Sequence, residues 1–380
     1  MKILIIRPFP EKINIDSYNV QEIGLAKALI KKGHECGIVF FENGEENSEQ
    51  IIPTDDGKNI VIYWRKGINI LKNGWFSGLD DIIEKYDVIQ VHEYDQLYSW
   101  HLYSHCKKPV LVYHGPYYNP FNKKYNFKTA VFDKIFLNRR NTGRAHVLTK
   151  SKLAEKFLKE KGFKDVTTVG VGLDDSRLSE SEPNDEVKKI LEKTAGAESF
   201  LYVGKIEERR NIIFLLEVFA QVSANRNCKL VLIGNGQEEY KNIVHAKIAE
   251  LKLNDAIIWV EKLNQDQLSY LYQNCKYFMF PTNYDIFGMV LLETMFYGMT
   301  VFSSINGGSS TLIEDGVNGV ELEAFDKALW VNRINQILDS EEKDKLGVNA
   351  KETIKNKFLW SALVDDFIVA YKKCLRDEKK

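Results

Sequence analysis

Apolar and polar positions along the chain follow two periods. Short β-branched runs at 3–6, 37–41, 60–64, 88–92, 110–114, 146–149 and 166–169 have the length and composition of buried strands. Between the first two, the stretch from Val20 to Gly33 spaces its apolar residues as a helix, gathers lysines in its last turn and stops at glycine. Strand, helix, strand in this order requires parallel pairing, so 1–173 is read as a doubly wound α/β domain. The acidic, proline-containing stretch that opens 174–198 reads as a linker, leading into a short helix over 187–193. The alternation then restarts. Strands are expected at 199–203, 229–233, 256–260, 277–280 and 300–303, with helices at 211–224, 238–251, 265–274 and 287–297. These make 199–355 a second, smaller parallel α/β domain, and an amphipathic helix over 360–376 dominates the remaining 356–380. Two such facing domains would leave a cleft lined by the carboxyl ends of their strands.

Composition narrows the class. With 44% hydrophobic and 28% charged residues, the 380-residue chain is neither disordered nor membrane-spanning, and no apolar run reaches the roughly 20 residues of a transmembrane helix. The apolar run after Met1 is too short for a signal peptide. Five scattered cysteines without a Cys-x-x-Cys pair suit reduced thiols in a cytoplasmic protein. The net charge of −1 conceals an asymmetry: residues 1–172 carry about +6, the remainder about −7, and 123–164 alone about +10.

Candidate chemistry concentrates in the second domain. The segment Pro281-Thr-Asn-Tyr-Asp285-Ile-Phe-Gly-Met-Val-Leu-Leu-Glu293-Thr-Met-Phe-Tyr-Gly298 joins a strand end to a helix that is apolar nearly all round, with Glu293 its only charge. A buried carboxylate needs cations or hydroxyl donors. The amides of Phe287, Gly288 and Met289 lie where a helix start offers an anion site; alternatively, Asp285 caps that start. In Val203-Gly204-Lys205-Ile-Glu-Glu-Arg209-Arg210, Lys205 and Arg210 could reach one diphosphate from two sides of a turn. Gly234 and Gly236 end the next strand in a turn that permits close approach of a ligand, although the longer dinucleotide fingerprint is missing. In the first domain His114 ends a strand, and it could donate to a sugar hydroxyl or phosphate oxygen or serve as a structural hydrogen-bonder; His92 ends the preceding strand. Across 117–140, aromatic and aliphatic residues interleave with lysine and arginine, as in a helix lying on an anionic membrane; a solvated helix face is the rival, and no nucleic-acid module is recognisable.

Together these segments resemble the retaining family-four glycosyltransferases, of the GT-B fold with two facing Rossmann-like domains. Asp285 and Glu293 have the spacing of that family's acidic-x₇-Glu motif, Lys205 and Arg210 fall at its diphosphate-binding basic pair, and His114 falls at its cleft histidine. Gly307-Gly308 and Glu314-Asp-Gly-Val-Asn-Gly319 match its closing loop. The resemblance implies an acceptor-binding domain at 1–173, a nucleotide-sugar domain at 199–355, and a final helix in 356–380 that packs back on the first domain. It also implies Glu293 on the ribose; Phe287, Gly288 and Met289, with Gly204, Gly234 and Gly236, around the donor; Asp285 on the donor sugar; and His114 on another sugar hydroxyl or a phosphate. Lys205 and Arg210 would stabilise the departing diphosphate in place of a metal, so no cofactor is expected. Asp16, Ser17 and Tyr117 are the acceptor-side or loop residues. The chain departs from the family pattern at Asp285, where glutamate is commoner, at Lys205 for arginine, at Ser310-Thr311 for Pro-Glu, and at Asp16-Ser17 for Gly-Gly. The implied reaction moves a sugar from a UDP- or GDP-linked donor to a saccharide or lipid-linked acceptor in bacterial-type cell-surface glycan synthesis. The expected place is the cytoplasm, peripheral to the inner face of a membrane. The alternatives are a non-catalytic GT-B partner or glycan-binding subunit, and a sugar-nucleotide epimerase.

Overall fold

The apolar runs become the strands of two sheets. In the computed structural model all residues are described except 18–19, 45, 55–56, 176–181, 324, 342 and 378–380. The chain divides into two compact units, Met1–Asp174 with Leu359–Lys380, and Asp175–Phe358.

The first unit holds nine strands: β1 (Lys2–Ile6), β2 (Glu35–Glu42), β3 (Ser48–Pro53), β4 (Asn59–Ile70), β5 (Asn73–Phe76), β6 (Val88–His92), β7 (Val110–His114), β8 (His146–Thr149) and β9 (Asp165–Thr168). They pair in the order β3-β4-β2-β1-β6-β7-β8-β9, with β5 returning along the end of β4. Every pair from β4 to β9 along this path is parallel, while β3 and β5 are antiparallel to β4. The strands β1, β6 and β7 are buried throughout or nearly so, as sheets covered on both faces require.

The helix Trp360–Asp377 completes this unit. Trp360, 4% exposed, lies against Gly24 and Gly172; a Cβ added at either would fall 2.3 or 2.2 Å from the indole. Further along, the buried Tyr371 hydroxyl donates to Gln90 Oε1 at 2.6 Å, tying the helix to β6.

The second unit has six parallel strands: β10 (Glu198–Val203), β11 (Cys228–Ile233), β12 (Ile257–Val260), β13 (Tyr277–Phe280), β14 (Thr300–Ser304) and β15 (Val320–Leu322). Their order is β12-β11-β10-β13-β14-β15. The chain therefore winds one way from β10 and the other way from β13, which makes the β10/β13 border the switch point where such sheets take ligands. Part of the stretch read as linker belongs to this unit: Asn184 caps a helix over Asp185–Thr194 that buries Val187 and Ile190. Helices Lys327–Leu338 and Lys343–Thr353 complete the layer, with Trp330 fully buried.

All five cysteines are unpaired. Among the described residues no helix is long and apolar enough to cross a membrane.

Candidate functional site

Two loops meet at the switch point. The loop after β10 carries Lys205 to Arg210, and the loop after β13 carries Pro281 to Gly288. Arg210 Nη1 donates to Asp285 Oδ2 at 2.5 Å, and its guanidinium lies 5.5 Å from the centre of the Phe280 ring. Arg209, one residue earlier, donates to the Tyr284 carbonyl while its own carbonyl accepts from the Asn283 amide at 3.0 Å. The pair of arginines therefore locks one loop to the other. Sequence spacing singled out Lys205 and Arg210 as the basic pair but not the part played by Arg209, because the partners of both arginines lie 75 residues away.

Asp285 has a second task. Its Oδ1 accepts from the amides of Gly288 at 2.9 Å and Phe287 at 3.3 Å. The helix itself runs over Met289–Phe296, two residues later than expected, because Gly288 takes φ +70° as its N-cap. The amides of Phe287 and Gly288, read as donor-binding with capping by Asp285 as the alternative, are held by that carboxylate in the described state, at the helix start where an anion is favoured. Met289, the first helical residue, is half-buried.

Glu293 projects from this helix into the interior and is 5% exposed. The Tyr272 hydroxyl, also buried, donates to its Oε2 at 2.9 Å. A hydroxyl partner of that kind keeps a buried carboxylate satisfied and oriented. Tyr272 was not singled out from sequence, although its place on the apolar face of helix Gln265–Asn274 was visible.

Gly307 and Gly308 follow β14 and lie against the same loop. A Cβ on Gly307 would meet the Ile286 carbonyl oxygen at 2.0 Å, and one on Gly308 the Phe287 oxygen at 1.7 Å. The double glycine is therefore a packing requirement of the Asp285 loop. Buried Asn306 fixes it from behind, donating to Ser304 O at 2.9 Å and accepting from the Gly308 amide at 3.0 Å. Gly234 and Gly236 have a similar role. Their α-hydrogens face the carbonyls of Gly204 and Ile206, where a Cβ would come within 1.8 and 1.9 Å. Exposed Lys205 and half-buried Gly236, with Asn211, Asn235 and Tyr240, line a cavity of about 920 Å³ whose Glu207 lies 3.8 Å from Arg210 Nε. Lys205 forms no ion pair with the described residues.

The first unit carries the other expected residues. His114 is fully buried at the end of β7, with Nδ1 2.6 Å from Glu93 Oε2 and, among the described residues, no hydrogen-bond partner at Nε2. Glu93, missed in the sequence, adopts φ +59° and also accepts from the Gly115 amide at 3.0 Å, with Lys150 Nζ 3.6 Å away. Burial alone would raise its carboxyl, but Lys150, His114 and the Gly115 amide outweigh that and hold it at about 2. His92 is pushed down to about 4 by burial, against the pull of Glu22 at 3.6 Å. Tyr117 is buried, whereas Asp16 and Ser17 are exposed in the loop after β1, their amides turned to Asn14.

Comparisons with known proteins fall on both units. A model described as Glycosyltransferase Family 4 matches residues 23–177, and one described as Glycosyl transferases group 1 matches residues 183–353. The chain belongs to the group 1, family-four glycosyltransferases. Among the relatives of this family-four member, lipopolysaccharide 1,2-N-acetylglucosaminetransferase of Salmonella typhimurium is 28% identical over 195 residues, 49% of this chain and 51% of the relative. N-acetyl-alpha-D-glucosaminyl L-malate synthase of Bacillus anthracis is 24% identical, covering 57% and 56%. The chain spans about half the length of the curated relatives it matches. Over the whole chain the fold matches sucrose-phosphate synthase of Thermosynechococcus elongatus, with a TM-score of 0.69 at 18% identity and 99% of each chain covered. Anabaena HepE, solved in complex with UDP, gives 0.70 at 16%, covering 98% of this chain and 100% of its own. The family-four member has the GT-B fold.

Proposed function

We propose that this chain is a retaining glycosyltransferase that takes a sugar from a UDP- or GDP-linked donor and transfers it, without a metal, to a saccharide or lipid-linked acceptor in cell-surface glycan synthesis. The observation that carries the reading is the convergence at the β10/β13 switch point of a cation, Arg210, with a helix that buries the carboxylate Glu293. The ribose hydroxyls of a donor are the ligand for which a buried, pre-oriented carboxylate is suited, and Lys205 with Arg210 supplies charge for a leaving diphosphate. In the reaction the bond from the anomeric carbon to the diphosphate oxygen breaks and one to the acceptor oxygen forms. The acceptor proton passes to the departing diphosphate.

Arg210 is held by Asp285 in the described state. Asp285 then acts as the residue that aims Arg210 and caps the helix, as well as the expected contact to the donor sugar. In the first unit, the unpartnered Nε2 of His114 is suited to a ligand hydroxyl or phosphate oxygen. The segment 117–140, with exposed lysines beside exposed apolar residues, adds an anionic membrane as partner, consistent with a peripheral position. A thermal-shift panel of UDP, GDP and ADP with the matching nucleotide-sugars tests the reading. One nucleotide should stabilise the protein, and Glu293→Ala should weaken its binding roughly 10- to 100-fold, the worth of one charged hydrogen bond. No stabilisation by any nucleotide would sink it.

A further inference from the structure

The helix Lys123–Phe136 turns only Thr129 and Phe132 fully inward. Its outer side carries a ridge of large apolar residues one turn apart: Phe127, 75% exposed, then Val131, then Ile135, 65% exposed. Lys123, Lys124 and Lys134 border the ridge and are exposed. Across 117–140 there are six cations and one acid, Asp133. That acid is turned inward, accepting from the Tyr94 hydroxyl at 2.9 Å and pairing with Lys161. The outward field of the helix is therefore uniformly positive.

A second apolar element lies beside it. The β4/β5 hairpin turns through Leu71 and Lys72, both with positive φ, and displays Ile68, Ile70 and Leu71, the last 87% exposed. Its base is held firmly: Phe76 packs on Phe41, and the Gly74 amide donates to Pro8 O at 3.0 Å. Asn73 joins the two elements. Its side-chain nitrogen donates to Ile70 O at 3.0 Å and Leu71 O at 3.2 Å, while its Oδ1 accepts from Lys128 at 3.5 Å. The same oxygen accepts from the Leu97 amide at 3.3 Å, so one long contact from Lys128 links the hairpin tip to the lysine-bearing helix.

We infer that the helix Lys123–Phe136 and the tip of the β4/β5 hairpin form one landing surface for an anionic lipid bilayer, with Leu71, Phe127 and Ile135 entering the interface and the lysines resting on headgroups. Charge complementarity selects this occupant. An apolar ridge edged by cations gains from both the acyl boundary and the surface potential of a bilayer, whereas a nucleic acid would leave the ridge in water. The inference deepens the membrane part of the function proposed above and is independent of donor binding.

The test is co-sedimentation of the full chain with phosphatidylcholine vesicles, with and without phosphatidylglycerol. Binding should require phosphatidylglycerol. Lys123→Gln with Lys124→Gln should weaken it roughly 25-fold, at about fivefold per charge near such a surface. Leu71→Ser and Phe127→Ser should each weaken it roughly tenfold or more, because each removes a side chain that binding would bury. The same preparations should keep their nucleotide thermal shift, which separates loss of the surface from loss of the fold or of the donor site. Equal binding to neutral vesicles, no vesicle binding, or full binding by Leu71→Ser would overturn the proposal. So would an oligomer that Phe127→Ser dissociates, since a second copy would then cover the ridge. If the vesicle results hold while no nucleotide stabilises the protein, the donor reading alone fails.

Discussion

Asp285 bonds to one arginine and two backbone amides, so its replacements should separate those tasks. Asp285→Ala removes the cap and leaves Arg210 only the more distant Glu207 carboxylate, and should cost about 1–3 kcal/mol in urea unfolding. Asp285→Asn keeps an acceptor for the amides and should cost less stability while still lowering turnover. Equal stability losses in the two would mean that the cap contributes little. The first unit makes a prediction about acid. Glu93 is held at about 2 against an ordinary 4.5, and His92 at about 4 against 6.5. In both cases the unfolded chain takes up a proton before the folded one does, so stability falls as pH is lowered. The loss should begin below about 6.5 through His92 and deepen from about 4.5 towards 2 through Glu93. Unfolding followed by tyrosine and tryptophan fluorescence across this range, with Glu93→Gln flattening the lower part, checks it. Flat stability from pH 7 to 4 would contradict it. The sequence pattern singled out Glu293 as the one charge in an apolar helix, His114 as a polar residue ending a strand, and Arg210 as part of a basic turn after a strand. It did not announce Glu93 or Tyr272, whose importance lies in what folding brings to them.

The central parallel strands were legible as elements because each is a near-continuous run of apolar residues, β-branched in most and aromatic in β13, buried on both sides. The ones missed have other causes. β3 (Ser48–Pro53) is almost wholly exposed and polar, β5 (Asn73–Phe76) contains a glycine and has four residues, and β15 has three. Edge strands are held by neighbours more than by their own pattern. The late start of the Glu293 helix was hidden for a similar reason: Gly288 reads as a helical position until its left-handed backbone is known. The final helix was plain from its periodicity, but its anchor was not. Trp360 fits only because Gly24 and Gly172 leave room for its indole. Trp360→Ala should therefore cost about 3–5 kcal/mol. Gly172→Ala should cost about 1–3 kcal/mol through overpacking of the same contact. Denaturant midpoints measure both, and combining the two substitutions should cost less than their sum, because the truncated side chain vacates the space the new methyl needs.

Nucleotide-sugar transfer is the function proposed for the molecule as a whole, and the family match on each of its two units supports it. If Lys205 and Arg210 stand in for a divalent ion, turnover should survive EDTA. Loss restored by magnesium would count against that assignment while leaving donor binding untouched. The helix Trp360–Asp377 has one further consequence, which concerns time. The second unit is one unbroken stretch, 175–358, whereas the first needs a helix made after it. During synthesis the strands β1 to β9 emerge first, yet the place between Gly24 and Gly172 stays empty while some 180 further residues are added, roughly 10–40 seconds at ordinary elongation rates. Until then the first-made unit is the unfinished one, dependent on the ribosome reaching the helix, and the later-made unit can close before it.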